Sequence, residues 1–297
     1  MKFQKKALLI CVAIITSLTV LFSFNACTAT TDEPPESSAE GTKFTYARLT
    51  DNYAEEKTRL SLYNEEDITD RLKALNQELN SQFNYYELSF QALQSLSYFD
   101  GDNRFVKVYN RKGDQIKNQQ ITIDGQECYV TSLYTLQTNK NLFDNQLSSL
   151  EKGESFDASD YLLSDSKAVP VILGWNYLEY ADIGDVFHLN YLEKNMDFCV
   201  QGFFTKGLSI KLNNSVICLD DYICMPSLDM EDATVPGDED HLFQVRQYLQ
   251  KNQGYIQLAD DIDQELVESQ LAALCSSFDL DYSLLGTLYQ MNILCGE

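Results

Sequence analysis

The chain offers few residues able to do chemistry, and their spacing assembles none of the familiar catalytic constellations. It has two histidines, His188 and His241, and eight cysteines. Neither histidine sits with a serine or cysteine in a nucleophile setting, and there is no GxSxG, HExxH or GxxxxGK[ST] motif. No CxxC or Cys/His cluster has the spacing that tetrahedral zinc demands, so neither a metal nor a cofactor is expected. His188 falls in an alternating segment and reads as a packed or surface residue rather than a base. The acid pairs Asp220-Asp221 and Asp260-Asp261 have the residue types of glycoside hydrolysis, which needs two carboxylates. Among 45 acidic residues such pairs arise by chance. Asp229 to Asp240 (DMEDATVPGDED) is acidic too, but lacks the glycine and glutamate register of a calcium loop and reads as solvated surface. The expectation is a protein that is not an enzyme.

Composition narrows the class further. The 297 residues are 44% apolar, enough for a buried core, and carry a net charge of −23. Since the first 27 residues hold three lysines and no acid, the remainder stands near −26. Such a surface repels nucleic acid and anionic membrane and attracts cations or cationic peptides; it also keeps a protein soluble. Six cysteines lie in the body: Cys128, Cys199, Cys218, Cys224, Cys275 and Cys295. They read as small core hydrophobes, and pairing among six is not decided by sequence.

The N-terminus addresses the body to the far side of a membrane. Lys2, Lys5 and Lys6 precede Ala7 to Phe24, eighteen residues without a charge. Three readings fit. One is a transmembrane helix; another is a lipoprotein signal cut before Cys27, which would then carry the lipid; the third is an ordinary cleaved signal. Phe24-Asn25-Ala26 before Cys27 has the alanine of a lipobox but Phe in place of Leu. Residues 28–43 (TATTDEPPESSAEGTK) are polar, lack apolar periodicity and read as a tether. All three readings leave residues 44–297 extracytoplasmic.

Within that body, Glu65 to Asn80 carries Ile68, Leu72, Leu75 and Leu79 at helical spacing, with Asn64 as cap, and predicts a helix to about residue 81. Phe83 to Ala92 alternates and predicts a strand. Further strands are expected at Arg104 to Tyr109, Ile121 to Ile123, Cys128 to Leu136 and Ser215 to Met225. Turns fall at Arg111 to Asp114 and at Asp124-Gly125. Asp240 to Lys251 predicts a helix stopped by Gly254, Tyr255 to Leu258 a strand, Asp261 to Ser277 a helix, and Phe278 to Tyr282 a last strand. Helices gather at the two ends of the body and strands between them, an α+β pattern.

The most informative stretch runs from Val169 to Phe204. Val169 to Leu173 is a continuous apolar run that suits a strand buried on both faces, ended by Gly174. Trp175 to Ala181 predicts two helical turns. Ile183-Gly184-Asp185 predicts a turn, with Asp185 able to bond its own backbone. Val186 to Tyr191 and Asp197 to Phe204 alternate as strands, the second placing Phe198, Val200 and Gly202 on one face. Gly174, Gly184-Asp185 and Val200 to Phe203, in this order and spacing, resemble the extracytoplasmic domain of FtsX-like ABC transporter permeases, the MacB-like periplasmic core domain, and above all its Gram-positive members. Asp70 to Phe90 is similar to the segment following the first membrane helix in that family. The resemblance implies a bipartite domain: an α/β lobe built from both chain ends and a mainly β insertion, here about residues 101–226. It also implies a non-catalytic role, with an ABC permease and its ATPase as partners and a substrate or partner bound outside the membrane. Permeases of the family continue into further membrane helices, whereas this sequence ends at Glu297. The alternative is a free-standing lipoprotein that binds cationic peptides or an envelope partner.

Overall fold

Each side chain of the Val169–Leu173 strand is buried, because successive residues enter two different cores. Val171 and Leu173 join a larger cluster with Leu72, Leu75, Phe243 and Leu271. Ile172 joins a second with Phe143, Phe204, Leu219 and Met291. Strand alternation sends neighbours to opposite faces, so a run with no polar residue is what a sheet between two cores requires. Each fully buried aliphatic side chain contributes about 1.5–3 kcal/mol. The computed structural model describes residues 44–296 apart from 54, 124, 165–166, 231–237 and 260–263.

Two sheets share these cores. The first has six antiparallel strands, in the order β13 (Ser215–Cys218), β12 (Ser209–Leu212), β16 (Tyr282–Leu294), β1 (Thr45–Asp51), β15 (Tyr255–Leu258) and β2 (Tyr85–Tyr86). The second runs β3 (Leu88–Ser89), β7 (Thr135–Thr138), β14 (Ile223–Pro226), β9 (Val169–Leu173), β11 (Lys194–Phe204), β10 (Val186–Tyr191), β4 (Leu93–Ser95), β6 (Gln126–Leu133) and β5 (Gln119–Ile123), with β8 (Leu150–Gly153) also on β11. It is mixed, β9 lying parallel to β11 and β7 parallel to β14. Helices α1 (Glu56–Leu62), α2 (Ile68–Gln82), α3 (Glu239–Lys251) and α4 (Gln264–Ser277) come from the two ends of the described chain. The fold is α+β.

Several local expectations fail where long-range pairing overrides periodicity. The helix begins at Ile68, because Asn64 turns its amide back to Leu60 O (2.6 Å) and closes α1, a helix the periodicity did not announce. Phe83 to Ala92 is not one strand: it splits into β2 and β3, one in each sheet. Arg104 to Tyr109 opens as a 3-10 turn, Asn103–Phe105, whose Arg104 N–H donates to Asp102 Oδ1, and continues as isolated bridges. Cys128 to Leu136 divides at Tyr134, whose N–H leaves the ladder for Phe105 O. Ser215 to Met225 also divides between the sheets, broken by the turn Leu219–Asp221. Trp175–Glu179 is a 3-10 helix. Asp240 does not cap its helix, which starts at Glu239 after Asp238; Asp240 pairs instead with Lys194 (2.8 Å).

The largest miss is the C-terminus. The expected strand Phe278 to Tyr282 is in fact the thirteen-residue β16, and Phe278 and Asp279 only turn the chain into it. Gly286 and Asn292 interrupt its apolar and aromatic residues, and it lies between β1, which pairs with its first part, and β12, which pairs with its last four residues. Tyr255–Leu258 stands as expected and Ile123 pairs with Gln126, while Asp124 of the expected turn lies outside the described residues. Of the cysteines, Cys224 and Cys275 are buried, Cys128 and Cys199 partly so, and Cys218 and Cys295 exposed; all six are free thiols. Only the first two pack as core hydrophobes. Residues 1–43, with the apolar segment, Cys27 and the tether, lie outside the described residues, as do residues 231–237 of the acidic loop and Asp261.

At the end of β1, burial raises the Asp51 carboxyl above its ordinary value near 3.8, against the opposing pull of Arg59 (3.7 Å). A raised folded value means that Asp51 contributes stability below its unfolded pKa, and that this is lost as pH rises through the folded one. Asp51→Asn keeps an acceptor for Gln253 Nε2 (2.6 Å) without the charge. The variant is expected to melt above wild type at pH 7, the difference shrinking on acidification through the carboxylate range, as read from thermal melts across pH.

Candidate functional site: a buried polar junction between the sheets

Glu87 is the one charged residue between Leu79 and Phe99. It sits between β2 of the first sheet and β3 of the second, and is 4% exposed. Where the chain changes sheets its carboxylate turns inward, and a buried charge must be paired and hydrogen-bonded. Asn76 and Asn80 of α2 donate to Oε1 (2.9 and 3.1 Å), and Ser227, just past β14, donates its hydroxyl to Oε2. Lys251, the last residue of α3 and 7% exposed, brings its ammonium to 3.7 Å and also donates to the carbonyls of Ser227 (3.3 Å) and Leu228 (3.1 Å).

Further bonds tie the same elements. Tyr85 OH donates to Lys251 O (2.7 Å) and accepts from Gly254 N–H (2.7 Å), closing the end of α3. Asn139 donates to Tyr85 O (2.9 Å) and Asn80 Oδ1 (3.0 Å), Gln247 to Leu228 O (2.6 Å), and Asn252 to Leu72 O (3.0 Å). Burial, reinforced by the charge of Glu87, holds the Tyr85 phenol well above its ordinary value, so it stays a neutral donor. Two of the chain's crossings between the sheets, β2 to β3 and β14 through α3 to β15, therefore meet at one carboxylate; β11 to β12 and β13 to β14 cross elsewhere.

The residues singled out in the sequence lie elsewhere. Gly174 follows β9, and a Cβ there would fall 2.2 Å from Leu219 O and 2.3 Å from Asp220 O. Gly184 has φ +93° with open space around it, and its N–H donates to Val200 O (2.8 Å). Asp185 accepts from the Asp182 N–H (2.9 Å) rather than from its own backbone. Gly202 faces Lys152 O, which a Cβ would approach to 2.9 Å. These four lie around β9 and β11, away from the Glu87 junction. The signal for the junction was in the sequence: a single acid inside a long uncharged run.

Groups with chemical potential are spent on structure. Asp220 accepts from Gly207 N–H (2.8 Å) and Asp221 from Asn176 (2.8 Å). His188 is exposed beside Asp197 (2.5 Å), while His241 is buried with Nε2 at 3.3 Å from Tyr63 O. Among the described residues no group of His, Cys, Asp and Glu could hold a metal ion. A depression lined by Ser159, Asp160, Lys167 and Leu228 encloses about 10 Å³, room for one water and far below a substrate pocket.

With this geometry in view, two solved structures are similar to the chain. One is the periplasmic region of MacB from Actinobacillus actinomycetemcomitans, at 13% identity and a TM-score of 0.36, covering 82% of this chain and 89% of that one. The other is the extracellular domain of YknZ, a noncanonic ABC-type transporter from Gram-positive bacteria. There the identity is 8% and the TM-score 0.41, covering 81% of this chain and all of that one. Both likenesses are to regions that lie outside the cytoplasm. No protein-family model and no curated protein matches the sequence.

Removing one partner of a buried ion pair costs about 3–5 kcal/mol, since the other charge is left unpaired. Lys251→Met is expected to lose stability on that scale, and Glu87→Gln with Lys251→Met to lose less than the two single changes added together, as a denaturation double-mutant cycle would measure. Of the framework glycines, Gly174→Ala drives a methyl into backbone and is expected to cost about 1–3 kcal/mol. Gly184→Ala costs about 1 kcal/mol and Gly184→Asn less, since only φ is at stake there. The same denaturation assay ranks them.

Proposed function

We propose that residues 44–297 form a non-catalytic extracytoplasmic domain of an ABC-type export or peptide-resistance system in a Gram-positive cell, held at the membrane by residues 1–27. It binds a permease or substrate and passes force between them. The observation that carries this reading is the route from tether to junction. The tether leads into β1, an inner strand of the first sheet, with Thr45 opposite Gln290 of the antiparallel β16. The start of β1 and the close of β16 thus lie at the same end of that sheet, and a pull there reaches the second sheet through the chain's crossings, two of which meet at the Glu87 junction. In this reading the body is bipartite, with the β-rich insertion at about residues 101–226, and Gly174, Gly184, Asp185 and Gly202 keep that insertion in shape. Among the described residues no helix is long and apolar enough to cross a membrane.

The charge of −23 and Cys27 after Ala26 favour a second reading, a lipid-anchored protein that captures cationic peptides. Affinity capture of the full chain from native membranes is expected to recover a permease or an ATPase subunit. Recovery of neither under conditions that preserve such complexes sinks the transporter reading. Salt-resistant binding of a cationic peptide then supports the second, and a mass for the mature N-terminus shows whether Cys27 carries lipid.

A further inference from the structure

The β10–β11 hairpin turns through Leu192 and Glu193, with Tyr191 paired to Lys194 across a two-residue loop. Both loop residues have positive φ, +51° and +73°. Hairpins favour that backbone shape because it matches strand twist, but Asn and Gly normally occupy it. A leucine and a glutamate there are strained, and strain persists only where surrounding contacts hold it. Glu193 Oε2 meets Arg246 Nη1 at 2.6 Å, and the Arg246 side chain is only 12% exposed. Lys194 Nζ meets Asp240 Oδ1 at 2.8 Å and lies 5.4 Å above the Phe243 ring. Tyr191 packs edge-on against Phe243 at 5.9 Å, and Leu192 packs on the larger core. Inside the turn, the Glu193 N–H donates to Asn190 Oδ1 (3.1 Å).

All three helix residues gripped here, Asp240, Phe243 and Arg246, belong to α3, whose last residue is Lys251 of the junction. The hairpin belongs to the second sheet, and α3 leads into β15 of the first. We propose that the Leu192-Glu193 turn is a strained clasp that holds α3 against the second sheet and guards the Glu87–Lys251 junction. While it is closed, α3 stays docked and the sheets are locked. Its release lets the turn relax, frees the N-terminal half of α3 and leaves the junction as the remaining tie. The clasp is a property of the resting chain and does not depend on which partner the domain binds.

Hydrogen exchange followed by mass spectrometry on the full chain tests it. In Arg246→Gln, amides of Glu239–Lys251 are expected to exchange at least about tenfold faster, while those of Val169–Leu173 stay within about twofold of wild type. The reversed pair Glu193→Arg with Arg246→Glu restores protection. Leu192→Asn, which keeps the turn but relieves it, slows exchange in the helix. Helix exchange unchanged by Arg246→Gln, unrestored by the reversed pair, unslowed by Leu192→Asn, or raised equally in Val169–Leu173 overturns the clasp.

Discussion

A buried carboxylate at a point where the chain passes from one sheet to the other is the constraint on which the rest of this architecture turns. Glu87 cannot be solvated there, so three donors and an ammonium converge on it from α2, from the segment after β14 and from the end of α3. Apolar packing is non-directional and would hold the sheets together in many orientations. A fully bonded polar cluster accepts one arrangement, because any other leaves a charge unpaired in a medium of low dielectric. The two cores supply the cohesion and the junction selects the geometry.

The proposed mechanical role fits that division of labour. The groups that could have done chemistry are used as struts: Asp220 and Asp221 brace loops, His241 is packed against a backbone carbonyl, and the buried tyrosine phenols are held neutral by burial. Helix α3 emerges as the shared part, gripped by the hairpin at Asp240, Phe243 and Arg246 and anchored in the junction at Lys251. An element held at both ends by contacts to different sheets is where relative motion would be resisted and where it would be felt.

Much of this was legible from local pattern. The Val169 to Phe204 stretch shows its strand, its glycine stop, its turn and its hairpin in order, because a strand buried on both faces leaves no room for polar residues and a turn at φ +93° demands glycine. The amphipathic spacing of Ile68, Leu72, Leu75 and Leu79 announced α2, and the mix of terminal helices and central strands announced the α+β class. The scarcity of nucleophile, metal and phosphate motifs depends only on residue identity, and so could be read without a fold.

What the sequence could not decide were matters of partnership. Phe83 to Ala92 alternates as a single strand would, and only the positions of β15 and β7 divide it between two sheets. The thirteen residues of β16 do not announce their partners, since their pairing is to β1 and β12, more than seventy residues away in the chain. The pairing of Glu87 with Lys251 spans 164 positions, and that of Glu193 with Arg246 spans 53. Residue type says that a lone acid in an uncharged run needs a counter-charge. Which lysine supplies it, and that it does so where two sheets meet, follows only from the tertiary fold, because desolvation acts on whatever the fold brings close and not on what lies adjacent along the chain.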